Sequence, residues 1–381
     1  MITLCRRILR MRLPPRLPPR LTKSCHYPVI IMPETTSQTA IAAKSPNVAH
    51  WLACSLVAVT GVLLTFGALV TTYEAAMAVP DWPGTYGHNM FLFPFAEWFY
   101  GPWDLFLEHG HRLLGASVGI LAIILAVAVW KTNQPSMVRG LVLAAVFLVV
   151  LQGVLGGLRV LLDDKTVAKV HACTGPLFFA VAVAIATLTS RRFQRTQDGS
   201  ESPILGMTPG SWIASGLLFA SYVQLVAGAQ LRHLDPAVGP STFRWLVLFH
   251  LVGAATVAVL SLAAVCDSFG LLGLHSTRSV GRRFLSSFIL FFVCSQVLLG
   301  FGAWIVSWGL PLGLLPDSIA NRVPEMTAVV VARSSVSSIV VTGHVLVGML
   351  ILGASVIYCI GSGGLPQAAG VKLVPRRGAL A

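Results

Sequence analysis

The sequence predicts an all-α integral membrane protein whose eight transmembrane helices form two pseudo-symmetric four-helix bundles. Three observations predict it. Hydrophobic residues make up 55% of the chain and charged residues only 11%, well below the roughly 25% charge of soluble domains. Apolar runs long enough to cross a bilayer recur eight times. The same few polar residues return at matched places inside those runs.

Taken in order, residues 1–47 form a basic, Pro-rich tail. Its run Arg-Leu-Pro-Pro-Arg-Leu-Pro-Pro-Arg-Leu (residues 12–21) cannot hold a regular helix, because each proline removes a backbone donor. The prolines also argue against an amphipathic transit segment. A disordered tail, or a true start at Met32, is the expectation. The apolar runs then fall at about 50–71, 109–130, 138–160, 168–190, 211–231, 244–266, 284–307 and 335–360. Each exceeds the ~20 residues needed to cross a ~30 Å hydrocarbon core. The expected organisation is an N-terminal half (48–195), a linker (196–210), a C-terminal half (211–362) and a tail (363–381).

Loop charge sets the expected orientation. One side holds both terminal segments and loops 131–139, 191–210 and 267–283, with 19 Lys and Arg against four acidic residues. The other side holds loops 72–112, 159–169, 232–244 and 308–334, with eight Lys and Arg against ten acidic residues. The first side is therefore read as cytoplasmic, with both termini inside a cell (inner) membrane. The net charge of +13 reflects this asymmetry; there is no basic stripe with interleaved aromatics, so nucleic acid is not an expected partner. No Cys-x-x-Cys spacing occurs among the seven cysteines, which suggests neither a zinc site nor a thiol-redox motif. Each cysteine is expected to be a buried, inert thiol.

The polar residues inside the runs carry the chemistry. Helices 2, 4, 6 and 8 each carry one histidine near the same end: His111, His171, His250 and His344. A small residue follows each about a turn later, at Gly115, Gly175, Gly253 and Gly348. Helices 3, 5 and 7 share Gln-x-x-x-Gly, at Gln152–Gly156, Gln224–Gly228 and Gln296–Gly300. Glycines let neighbouring helices or a flat ligand approach closely. Neutral imidazole is a good axial ligand for haem iron, and helix bundles clamp cofactors between facing helices. Two histidines per half suit two haem sites. The competing reading for any one of them is a polar contact between helices.

Glu108 and His111 lie about 60° apart around a helix, on one face. Glu108 is read as a proton donor or acceptor, or else as the partner of Arg112 at i+4. Arg112, Arg159, Arg232 and Arg244 are candidate contacts for haem propionates, since arginine binds carboxylates bidentately; the alternative is an anchor to lipid headgroups. His88, His109 and His233 are read as loop or boundary residues. The loop holding Ala78-Val79-Pro80-Asp81-Trp82-Pro83-Gly84-Thr85-Tyr86-Gly87-His88-Asn89 is expected to be ordered, either covering the N-terminal-half site or resting at the lipid interface.

From about residue 50 to 360 the chain resembles the haem A synthase family, membrane enzymes that oxidise haem O to haem A for cytochrome c oxidase. The resemblance rests on Pro80-Asp81-Trp82-Pro83, on Glu108-x-x-His111-Arg112, on Gly156-Gly157-Leu158-Arg159-Val160 ahead of His171, and on one histidine in each even helix. It implies haem b as cofactor on His250 and His344, and substrate haem O on His111 and His171. It implies a part for Glu108 in the oxidation, in which a porphyrin methyl is hydroxylated twice and loses water to give a formyl group. It further implies an electron acceptor and delivery of substrate, with the haem O synthase as the candidate supplier, as partners within the lipid bilayer. Some members carry a cysteine pair in the first outer loop, and residues 72–112 here contain none. Two other readings stay open: a di-haem b-type carrier that oxidises quinol, and a haem transporter.

Overall fold

The computed structural model describes residues 47–191, 193, 209–234, 237–274, 279–309 and 334–363. The expected tail over 1–46, most of the 196–210 linker, loop residues 310–333 and the segment after Gly363 lie outside the described residues. Eight helices are long and apolar enough to cross a membrane: α1 (Val48–Thr72), α3 (Trp103–Lys131), α4 (Ser136–Leu162), α5 (Lys165–Leu188), α6 (Pro209–Arg232), α7 (Pro240–Phe269), α8 (Val280–Trp308) and α9 (Ser335–Gly361). A short α2 (Phe95–Phe99) lies in the loop between α1 and α3. Among the described residues there is no strand, only one isolated bridge between Thr85 and His88. The protein is a multi-pass membrane protein.

Local chemistry sets the helix ends. Asn47, Asp164, Ser279 and Ser334 cap α1, α5, α8 and α9 by accepting backbone N–H groups of the first turn, the usual N-cap role of these side chains. Gly270 closes α7 at φ 78°, a left-handed position that costs glycine little. Inside the spans, Thr60, Thr65, Thr71, Thr72, Ser117 and Ser221 donate back to carbonyls four residues earlier. Such bonds satisfy hydroxyls where lipid offers no partner.

Several helices begin earlier than their apolar runs. α3 starts at Trp103, α5 at Lys165 and α7 at Pro240, because first-turn donors tolerate proline and polar residues. The expected 159–169 loop shrinks to Asp163 and Asp164, and Pro209 and Gly210 of the expected linker open α6. All four histidines therefore lie deeper than an apolar-run reading places His111 and His171. They sit six to ten residues into their helices, or about 9–15 Å at 1.5 Å per residue.

The apolar core has two main parts. α1, α3, α4 and α5 pack around Leu56, Val118, Leu125, Phe178 and Ile185. α6, α7 and α8 pack around Leu217, Val257 and Ile289. α9 enters both, through Leu352 and Val356 on one side and Ile351 and Tyr358 on the other. It is accordingly the most enclosed span, with half its apolar window buried against 11% for α7 and α8. Gly353 of α9 lies against Phe179 of α5, where a Cβ would come within 3.1 Å of the ring.

Asp267, expected in a loop, is instead on the last turn of α7, 1% exposed, and pairs with Arg282 of α8 at 2.5 Å. Arg282 also lies over the Tyr358 ring at 5.1 Å. Of the five described cysteines, all free, Cys359 is buried as expected, but Cys294 is exposed and Cys54, Cys173 and Cys266 are half-buried. Removing one member of a buried ion pair leaves the other uncompensated, at a cost of about 3–5 kcal/mol. Asp267→Ala is expected to lower the thermal unfolding midpoint in detergent accordingly; an unchanged midpoint would show that Arg282 reaches another partner or solvent.

Candidate functional site

Four histidines form two pairs. The rings of His111 on α3 and His171 on α5 have centroids 6.4 Å apart. Those of His250 on α7 and His344 on α9 are 6.3 Å apart. These spacings match imidazoles on opposite sides of one metal: two metal–nitrogen bonds of about 2.0–2.1 Å, plus about 1.1 Å from nitrogen to ring centre on each side, give roughly 6.3 Å. No group of three or more His, Cys, Asp or Glu able to hold a metal occurs among the described residues. Each pair can therefore offer two axial ligands but not the full donor set of a bare ion.

Each imidazole has a glycine seat on a neighbouring helix. A Cβ at Gly67 would come within 3.0 Å of Cε1 of His111, and one at Gly156 within 3.3 Å of His171. The same holds for Gly228 and His250 at 3.4 Å, and for Gly300 and His344 at 3.0 Å. Gly156, Gly228 and Gly300 are the last residues of the Gln-x-x-x-Gly repeats. Gly67 is the fourth member, and the repeat pattern missed it because Leu63 stands where the glutamine would be. The four small residues after the histidines do different work: Gly253 and Gly348 make room for Gln224 and Gln296, while Gly115 has nothing within 4 Å.

The rings of His111, His171 and His344 face the backbone carbonyls of Leu63, Gln152 and Gln296. Their Nδ1 atoms are buried and reach no bond of normal geometry among the described residues. Unsatisfied buried ring nitrogens beside a glycine seat fit a site completed by a metal-centred group, since a ligating histidine commonly directs its other nitrogen at a carbonyl.

Above His111 the loop from Tyr73 to Pro102 is tied down at many points. Glu108, 3% exposed, accepts from Val79 N–H at 2.9 Å and from Arg112 Nη2 at 2.8 Å. Arg112 also donates to the carbonyls of Val79, Asp81 and Gly84 at 2.6–2.8 Å. Its terminal nitrogens are thus committed to the loop, where the sequence reading offered a propionate contact. Thr85 Oγ1 lies 3.0 Å from His109 Nδ1, and the His109 ring packs on Phe93 and Trp98. Trp82 lies on Gly157 of α4, where a Cβ would come within 2.5 Å of the indole. Asp81 closes a turn by accepting from Tyr86 and Gly87 N–H. Desolvation alone would raise the Asp81 carboxyl, but these two bonds and the Arg112 charge hold it below the usual carboxylate range.

The other cations are spread around the same end. Arg159 Nη2 donates to Ala76 O at 3.3 Å and lies within electrostatic reach of Glu108, His111 and His171. Arg232 donates through Nη2 to Ala68 O at 2.6 Å and Thr72 Oγ1 at 2.5 Å, while its Nη1 is buried without a partner among the described residues. His233 is pushed down to about 4 by burial and then by Arg232, Arg159 and Lys169, so it is neutral at neutral pH. Arg244 is exposed on the first turn of α7, beside an apolar recess lined by Phe243, Leu248, Leu251 and Trp304.

Residues 102–247, which include Glu108, His111, Arg159 and His171, match the model of the COX15-CtaA family, described as cytochrome oxidase assembly protein. The protein named heme A synthase of Shouchella clausii is 28% identical to this chain over 190 residues, covering 48% of this chain and 59% of the relative. The heme A synthase of Alkalihalophilus pseudofirmus is 26% identical over 194 residues, covering 50% and 62%. That of Halalkalibacterium halodurans is 23% identical over 223 residues, covering 54% and 70%. The chain thus spans about three-fifths of the length of the first two.

The glycine seats differ in tightness, and alanine tests that order. Overpacking a well-filled site costs about 1–3 kcal/mol. Gly67→Ala and Gly300→Ala are expected to lower the unfolding midpoint most, Gly156→Ala less and Gly228→Ala least. Equal effects at all four would show that the imidazoles do not rest on these glycines.

Proposed function

We propose that this protein is a haem A synthase of the COX15-CtaA family, oxidising a methyl group of haem O to the formyl group of haem A by successive hydroxylations. The observation that supports it is the pair of imidazole couples, each at axial-ligand spacing and each seated on glycines. In this reading the eight spans form two four-helix halves of common plan. His111 and His171 hold the iron of substrate haem O, and His250 and His344 hold haem b. Bound there, haem b supplies one-electron transfer.

The chain's own residues do the rest. Glu108 lies one turn before His111, so its carboxylate stands at the loop-side edge of the substrate pair. Oε1 and Oε2 are each held by one donor, which fixes where the carboxylate can take or return a proton. The loop bound by Arg112, His109 and Gly157 keeps water from that edge. Arg159 and the free Nη1 of Arg232 are the cations placed to meet propionates. The distribution of loop charge supports a cell (inner) membrane location with both termini cytoplasmic. Electrons pass to an acceptor, and haem O arrives from a haem O synthase or from the bilayer.

The test is pyridine haemochrome analysis and mass spectrometry of haems extracted from cells that also make haem O. Wild type is expected to carry b-type haem and to accumulate haem A. Glu108→Ala is expected to keep the b-type haem while haem A formation falls about 100-fold or more, the span usual for a lost acid–base group. Two permanently bound b haems with no haem O or A would point to the di-haem carrier instead.

A further inference from the structure

Three glutamines reach across to the helices that carry histidines. Gln152 Nε2 donates to the backbone carbonyl of His171 at 3.3 Å and also to Thr174 Oγ1. Gln224 Nε2 donates to the carbonyl of His250 at 2.9 Å and lies 3.1 Å from that ring's Nδ1. Gln296 Nε2 donates to the carbonyl of His344 at 2.9 Å and lies 3.5 Å from its Nε2. Each glutamine sits four residues before the glycine on which the same imidazole rests. One helical turn thus fixes both the backbone origin of the histidine and the seat of its ring.

The arrangement costs something. The Oε1 atoms of Gln224 and Gln296 are buried with no partner among the described residues, and an unsatisfied buried acceptor is destabilising. Leucine would avoid that cost, and at the fourth place the chain has it. Leu63 stands four residues before Gly67, and its carbonyl faces the His111 ring as those of Gln152 and Gln296 face theirs. A leucine side chain has no donor, so nothing at this place ties the His111 carbonyl to α1.

We infer that Gln152, Gln224 and Gln296 are positioning residues for His171, His250 and His344, and that Leu63 leaves His111, though its ring is closely seated, the one histidine of the four whose backbone no glutamine ties to the neighbouring helix. The inference rests on the reading of the histidines as axial ligands. It makes the His111–His171 couple the exchangeable site, suited to a group that must enter and leave. The doubly tied His250–His344 couple retains what it binds.

The experiment uses the full chain purified with its haem. Haem release to excess apomyoglobin is followed, together with the electron paramagnetic resonance g-values, which report the relative orientation of two axial imidazoles. The variants are Gln224→Met, Gln296→Met and Leu63→Gln, with His344→Ala as reference. Methionine keeps the length of glutamine and removes the donor. The two Gln→Met changes are expected to shift the g-values of the retained haem and to speed its release about tenfold, the lower range for lost outer-shell partners of metal-bound histidine. Leu63→Gln is expected to slow release of haem from the other couple. Gln→Met variants within twofold of wild type and with unchanged g-values would overturn the inference. If those variants do not fold, a Leu63→Gln protein that releases haem as fast as wild type overturns it. If His344→Ala keeps its haem and spectrum, the axial-ligand reading itself fails, which is a different outcome.

Discussion

The contact between an imidazole and a glycine on the next helix is what the rest of the site depends on. A histidine inside an apolar span is costly unless its polar atoms have somewhere to go and its ring has room. Here the room is made the same way four times, by removing a side chain from the facing helix. That choice draws α1 to α3, α4 to α5, α6 to α7 and α8 to α9. It also sets where the rings can meet. The two couples follow from the helix pairs, and α5 and α9, which each carry a histidine, pack directly on one another at Phe179 and Gly353.

Glu108 serves two ends in this architecture. Its carboxylate joins Arg112 and the Val79 amide, so it is part of what holds the loop in place. The same bonds fix it one helical turn before His111, where the proposed reaction would use a proton acceptor. A structural pair and a chemical role are often posed as alternatives, but in the proposed reading they coincide: a carboxylate held by two donors is pre-positioned, and a tied loop would keep the edge dry. Arg112 meanwhile commits its terminal nitrogens to the loop carbonyls and Glu108, so in the proposed reading Arg159 and Arg232 are the cations that would meet propionates.

Much of this was legible in the residues. Eight apolar runs announced eight spans, because nothing but a helix satisfies a lone backbone segment in lipid. The four histidines stood out because polar residues there are rare. Other features were hidden for physical reasons. Helix starts were set too late, since the first turn needs no apolar residue and α3 begins well before the run at Leu113. Asp267 looked like a loop acid because only the fold brings Arg282 against it. Gly67 gave no signal, because a repeat searched for through glutamine cannot see a leucine. His109 reads as a loop or boundary residue and Trp82 as part of an ordered loop, yet they anchor that loop against Phe93 and Gly157, contacts with no local pattern.

The most direct test of the paired-imidazole account is electron paramagnetic resonance of the oxidised, haem-loaded protein. The account predicts a low-spin signal from two axial histidines, converted to high spin by His250→Ala and equally by His344→Ala. A low-spin signal that survives both substitutions unchanged would contradict it.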